Sequence, residues 1–179
     1  MSTTPATDAV ASPRFQPTRP DHLIAYGFGA GLSPMAPGTI GTLVAIPIYL
    51  VLANLPGLVY LVAVAILIGA GIWACNQVIA ETGEDDPPSI VWDEVVGFLV
   101  AMAAAPVVSL AWILMGFLLF RLFDIYKPWP VSWAQERFSG GLGIIADDLV
   151  AGAMTWVVLT CMAMIVSASL GHGVATLAH

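Results

Sequence analysis

WDEVVGFLVAMAAAPVVSLAWILMGFLLFRLFD, residues 92–124, decides how this chain folds. Its middle, residues 95–120, carries no charged side chain and is broken by Pro106. As one helix this stretch reaches about 39 Å at 1.5 Å per residue, enough to cross a bilayer. As two helices meeting near the proline, neither half crosses, and the chain returns to the side it left. A single kinked crossing separates Asp93 and Glu94 from Asp124 by a full bilayer. A hairpin or re-entrant pair places them on one face, where they can share an ion. The basic residues favour the hairpin. Arg14 and Arg19 precede the first apolar segment, and Arg121, Lys127 and Arg137 precede the last. The positive-inside rule assigns all five to the cytoplasmic side. Two crossings between Asp21 and Glu81 bring the chain back to that side, so residues 95–120 make an even number. The single crossing is the rival reading.

The rest of the composition agrees with a lipid-facing chain. Of 179 residues, 59% are hydrophobic and only 9% charged, against about 25% charged in a typical soluble domain. The mean hydropathy is +0.89. No Asp, Glu, Lys or Arg occurs between Asp21 and Glu81, between Glu94 and Arg121, or after Asp148. The first gap is divided by Asn54-Leu55-Pro56-Gly57, a turn signal. The last, residues 149–170, suits a single span. The fold class expected is all-α: an integral membrane bundle with short or re-entrant helices and a polar site at the cytoplasmic membrane face. Residues 1–21, polar and holding four prolines, read as a disordered tail. Residues 22–179 read as one domain. The net charge of −7 excludes a nucleic-acid partner, which needs a basic face. Cys75 and Cys161 sit in apolar stretches without metal or redox spacing, and read as buried free thiols.

Four charged or glycine-rich segments interrupt the apolar ones. Residues 27–42 read GFGAGLSPMAPGTIGT and run into an apolar helix. Glycines let backbone amides approach an anion, and a helix N-terminus offers free N–H groups. Thr39 or Thr42 can cap that helix or bind a phosphate oxygen; close helix packing explains the glycines equally. His22, just before this loop, reads as an interfacial histidine. Asp93 and Glu94 open the next helix. Acids favour a helix N-terminus, and carboxylates also suit a hard cation such as Mg²⁺. Glu81, Glu84, Asp85 and Asp86, close to Pro87 and Pro88, read as solvated. Arg121, Asp124 and Lys127 are spaced to share a helix face, as an ion pair or as a phosphate clamp beside a metal. Asp147 and Asp148 form a second carboxylate pair at the mouth of the last span, costly there unless it meets water or a cation.

At these residues the chain resembles the phosphatidylglycerophosphatase A family. The resemblance rests on GFGAGLSP with PGT at residues 27–39, IVWDE at 90–94, FRLFD with KPWP at 120–130, and GGLGI with DD at 140–148. It implies a bacterial inner-membrane, multi-pass enzyme with its site facing the cytoplasm. Such an enzyme removes the terminal phosphate of phosphatidylglycerophosphate with Mg²⁺. With that resemblance in hand, Asp93, Glu94, Asp124, Asp147 and Asp148 are the expected metal ligands. Asp93, Arg121, Asp124, Lys127 and Asp148 are the expected catalytic residues. Gly29, Gly31, Ser33, Thr39, Arg121 and Lys127 are expected at the substrate phosphate. Either water or an aspartate can be the nucleophile. Two other readings compete: a phosphatase of another lipid phosphate, such as a prenyl diphosphate, and a small transporter. Carboxylates at segment ends and the lack of an internal repeat weigh against transport.

Overall fold

A computed structural model describes residues 15–176, and every regular element among them is helical. A short helix α1 (Pro20–Ala25) leads into a 3₁₀ turn (Gly27–Leu32). Five longer helices follow: α2 (Pro37–Leu52), α3 (Gly57–Thr82), α4 (Trp92–Met102), α5 (Leu110–Tyr126) and α7 (Gly140–Thr176). The small helix α6 (Val131–Arg137) joins the last two. The ion pair of Arg121 on α5 with Glu94 on α4 joins the end of one helix to the start of the other, so Asp93, Glu94, Arg121 and Asp124 stand at the same end. Residues 95–120 are therefore a hairpin, and the single kinked crossing is excluded.

Local chemistry sets the turns. Pro106 lies in the segment between α4 and α5, where its missing N–H costs no helical hydrogen bond. Ser109 caps α5, its hydroxyl accepting from the Trp112 N–H at 3.4 Å. Gly83 ends α3 with φ +71°, the left-handed stop that glycine adopts most readily. α4 has 11 residues and so extends only about 16 Å. It is wrapped by its neighbours: Val95, Val96, Phe98, Leu99 and Ala101 are fully buried. Apolar residues all round a helix mean that it is enclosed on every side. Its last turn leaves carbonyls without intrahelical donors, and the Tyr60 hydroxyl of α3 donates to one of them, Leu99 O, at 2.6 Å.

α4 packs most extensively on α7. The backbones meet where glycine faces glycine. A side chain on Gly152 would collide with Gly97 O, and one on Gly97 would lie 2.7 Å from Asp148 O and 2.8 Å from the Phe120 ring. Among the described residues, α3 and the Gly140–Ser169 stretch of α7 are the two helices long and apolar enough to cross a membrane.

Several expectations need correction. The part of the supposed tail that falls among the described residues, 15–21, is held on the body; residues 1–14 lie outside the described residues. Phe15 packs edge-on against Tyr26 at 5.6 Å, and Arg19 pairs with both Asp21 and Glu81. His22 is fully buried, not interfacial. It accepts the Gln16 N–H at Nδ1 (3.2 Å) and meets Glu81 Oε2 through Nε2 at 3.0 Å. Glu81 is exposed, as expected of a solvated acid, and is also an anchor for Arg19 and His22. Cys75 is buried as expected, whereas Cys161 is exposed on α7. A helix apolar on every face does not reveal which face turns inward.

Gly97→Val should destabilise the protein by about 1–3 kcal/mol through overpacking. Thermal unfolding in detergent reads this as a lowered Tm, and an unchanged Tm would show that the α4–α7 approach is not tight.

Candidate active site

Acids and bases from three helices meet where α2, α4 and α7 begin and α5 ends. Asp93 and Glu94 occupy the first turn of α4, where the helix dipole favours negative charge. Arg121 and Asp124 lie on the last turns of α5, and Lys127 is its C-cap. Asp147 and Asp148 come about two turns into α7 and are both buried.

One ligand oxygen from each of Asp93, Glu94 and Asp148 lies within 4.8 Å of the others. Asp93 Oδ1, Glu94 Oε2 and Asp148 Oδ2 are buried and have no hydrogen-bond partner. Arg121 Nη1 stands 2.5 Å from Asp124 Oδ2 and 3.6 Å from Glu94 Oε1. Its Nε is buried and unpartnered. Lys127 Nζ donates to Asp147 Oδ2 at 2.7 Å. These groups border a cavity of about 630 Å³. A second cavity, of about 660 Å³ and lined by Tyr49, Tyr60, Met102 and Trp156 among others, carries no Asp, Glu, Lys or Arg.

Charge does not balance. Asp124 and Asp147 have their cations, but of Asp93, Glu94 and Asp148 only Glu94 has one within ion-pair range, the Arg121 Nη1 that already serves Asp124. Burial, and after it the charges of Glu94 and Asp148, push the Asp93 carboxyl well above the usual carboxylate range. Burial also pushes the Glu94 carboxyl up. Clustered carboxylates in a desolvated place either take up protons or take a cation. Unpartnered oxygens of three carboxylates on two helices, converging this closely, fit a hard divalent ion.

Two residues beside the cavity adopt backbone conformations that few side chains tolerate. Ala36 has φ +46° and Lys127 φ +44°, a region costly for non-glycine residues and concentrated at functional sites. Lys127 leaves the α5 axis there, and its ammonium reaches α7. Ala36 sits just before α2. A side chain on Gly38, in the first turn of α2, would strike Glu94 Oε1 and approach Arg121 Nη1 to 3.1 Å.

All the expected acidic and basic residues thus reach one cavity: Asp93, Glu94, Arg121, Asp124, Lys127, Asp147 and Asp148. Only Asp93, Glu94 and Asp148 form the close trio; Asp124 and Asp147 are engaged by cations. Gly29, Gly31, Ser33 and Thr39 are not among the residues lining the cavity. Gly31 packs against the Ser89 carbonyl, and the Ser33 hydroxyl donates to Met35 O. The glycine-rich segment meets the cavity through Ala36, Pro37 and Gly38 instead. The signal for this was present: proline followed by glycine at the first helical positions leaves an open amide at a helix mouth. Asp85 and Asp86 also line the cavity; their place beside two prolines concealed that role.

Arg121→Met should cost about 3 kcal/mol, because it leaves the Asp124 and Glu94 carboxylates without their cation. Adding Asp124→Asn should recover part of this loss. Additive costs in a double-mutant cycle would show that the pair is not coupled.

The family model for phosphatidylglycerophosphatase A matches residues 23–163. The phosphatidylglycerophosphatase A of Escherichia coli (strain K12) is 41% identical over 155 residues, covering 87% of this chain and 90% of the relative. That of Haemophilus influenzae is 41% identical over 141 residues, covering 78% of this chain and 86% of the relative. A Bacteroides thetaiotaomicron protein provisionally named a phosphatidylinositol-3-phosphatase is 39% identical over 145 residues, covering 76% of this chain and 89% of the relative. No solved structure matches at comparable stringency.

Proposed function

The chain belongs to the phosphatidylglycerophosphatase A family, and from that premise we propose that it hydrolyses phosphatidylglycerophosphate to phosphatidylglycerol and phosphate in phospholipid biosynthesis. The observation that carries this reading is the trio of buried, unpartnered carboxylate oxygens on Asp93, Glu94 and Asp148, facing the same cavity as Arg121 and Lys127. A phosphate monoester is doubly charged near neutral pH and would not enter so acidic a cavity alone.

Mg²⁺ is the proposed cofactor, held by Asp93, Glu94 and Asp148. When bound it supplies positive charge against the phosphate oxygens and lowers the pKa of water. The protein's own groups do the rest. Arg121 offers the free Nε to a phosphate oxygen while Asp124 holds its other edge. Lys127, oriented by Asp147, adds a second donor as negative charge moves to the leaving oxygen. The first turn of α2, open at Gly38, provides backbone N–H groups beside Glu94. Glu94, itself one of the trio and within reach of Arg121, links the phosphate clamp to the proposed cation site.

The membrane arrangement follows from the same end of the bundle. Arg19, Arg121, Lys127 and Arg137 lie at or near the turns on the cavity side, which the positive-inside rule assigns to the cytoplasm. We therefore place the protein in the bacterial inner membrane as a multi-pass enzyme with its cavity at the cytoplasmic face. α3 and α7 cross fully, and the α4–α5 hairpin returns from within. The lipid substrate then presents its headgroup to the cavity with its acyl chains in the bilayer.

The protein purified in detergent should release phosphate from phosphatidylglycerophosphate with Mg²⁺ and stop with chelator. Asp93→Asn and Asp148→Asn should each lose more than the roughly 10–100-fold that loss of an outer-shell metal partner costs. Full activity in both variants would remove the carboxylate site. Because one relative is named for an inositol lipid, phosphatidylinositol 3-phosphate belongs in the substrate panel. Faster turnover of that lipid would transfer the reading to it.

A further inference from the structure

α3 supplies no group to the cavity, yet both helices that carry the carboxylate trio, α4 and α7, are fastened to it. The Trp92 indole N–H, one residue before Asp93, donates to Leu67 O at 3.0 Å. The backbone N–H of Gly141, at the start of α7, donates to the side-chain oxygen of Asn76 at 2.8 Å. First-turn amides of a helix have no acceptor within it. Here the acceptor comes from a neighbouring helix, not from a local cap.

The approach is tight enough to fix both position and rotation. Gly140 has φ +64°, the left-handed region that suits glycine. A Cβ on it would lie 3.0 Å from Asn76 Oδ1. A Cβ on Gly141 would collide with Ile72 O and lie 3.1 Å from Asn76 Cγ. The start of α7 is therefore pressed on α3 through two residues without side chains. Neighbouring residues on a helix point about 100° apart. Asp147 must meet Lys127 while Asp148 faces Asp93 and Glu94. Only one rotation of α7 satisfies both, because a one-residue slip carries each carboxylate to the other's direction or beyond.

We propose that Asn76 is a positioning residue: its bond to Gly141 sets the rotation of α7, so that Asp148 completes the carboxylate trio while Asp147 stays on Lys127. The proposal rests on the cation reading above for its functional consequence, but not for its structural one. It concerns a side chain outside the cavity and touches neither substrate nor cation.

The test compares Asn76→Leu, which keeps size and removes the acceptor, with Asn76→Asp, which keeps an acceptor oxygen at the same reach. Backbone amide exchange reads the bond itself, without activity or metal. The Leu variant should exchange at least about tenfold faster over residues 141–148, and the Asp variant should match the parent. With phosphatidylglycerophosphate as substrate, the Leu variant should need about tenfold more Mg²⁺ for half-maximal rate, with KM changed less than about twofold. The Asp variant should stay within about threefold of the parent. Unchanged exchange in the Leu variant overturns the proposal, as does faster exchange with an unchanged Mg²⁺ requirement. If the parent itself ignores Mg²⁺, the cation reading fails separately. The proposal then stands on a fall in kcat at constant KM and falls if both are unchanged.

Discussion

Three carboxylates buried side by side without enough positive charge are the constraint from which the rest of this structure follows. Asp93, Glu94 and Asp148 sit within a few ångströms of one another at one end of an apolar bundle. Arg121 and Lys127 are already committed in part to Asp124 and Asp147. Removing charge from water costs several kcal/mol per ion even after relaxation. A fold that gathers five carboxylates around two cations keeps them ionised only by admitting another cation. With the proposed cation in place, the same arrangement would suit an anionic phosphate, for which that cation and the Arg121 Nε would be the partners.

The helical layout serves that gathering. Three turns of chain come together at the cavity end, while the links after α2 and α4 lie at the opposite end. α4 is too short to cross a bilayer and does not need to; its role is to deliver two acids on its first turn from the most enclosed position in the bundle. Packing at Gly97 and Gly152 lets α7 lie close enough for Asp148 to reach them. α3, the long apolar helix, contributes no acid or base to the cavity and acts as a frame.

Much of this was legible in residues 92–124 and 140–148. Charge gaps located the helices, and the requirement that basic residues share a side predicted the hairpin at Pro106. The paired acids and the spacing of Arg121, Asp124 and Lys127 identified the polar face. Other features stayed hidden for physical reasons. Whether an acid is free or already paired depends on side-chain reach, so the sequence could not separate Asp148 from Asp147. The glycine-rich segment announced an open backbone but not which amides face the cavity; Gly38 does and Gly31 does not. The anchoring role of the exposed Glu81 stayed hidden because its partners, Arg19 and His22, lie some sixty residues earlier in the chain. Asn76 gave no signal in the sequence, because its bond is to a backbone amide on another helix.

The central claim is that the carboxylate trio holds a divalent cation, and crystals of the protein grown with Mn²⁺ in place of Mg²⁺ test it most directly by anomalous scattering. The account predicts an anomalous peak bonded to oxygens of Asp93, Glu94 and Asp148, absent from crystals of Asp148→Asn. A well-ordered trio with no peak at saturating Mn²⁺, or a peak that survives that substitution unchanged, would contradict it.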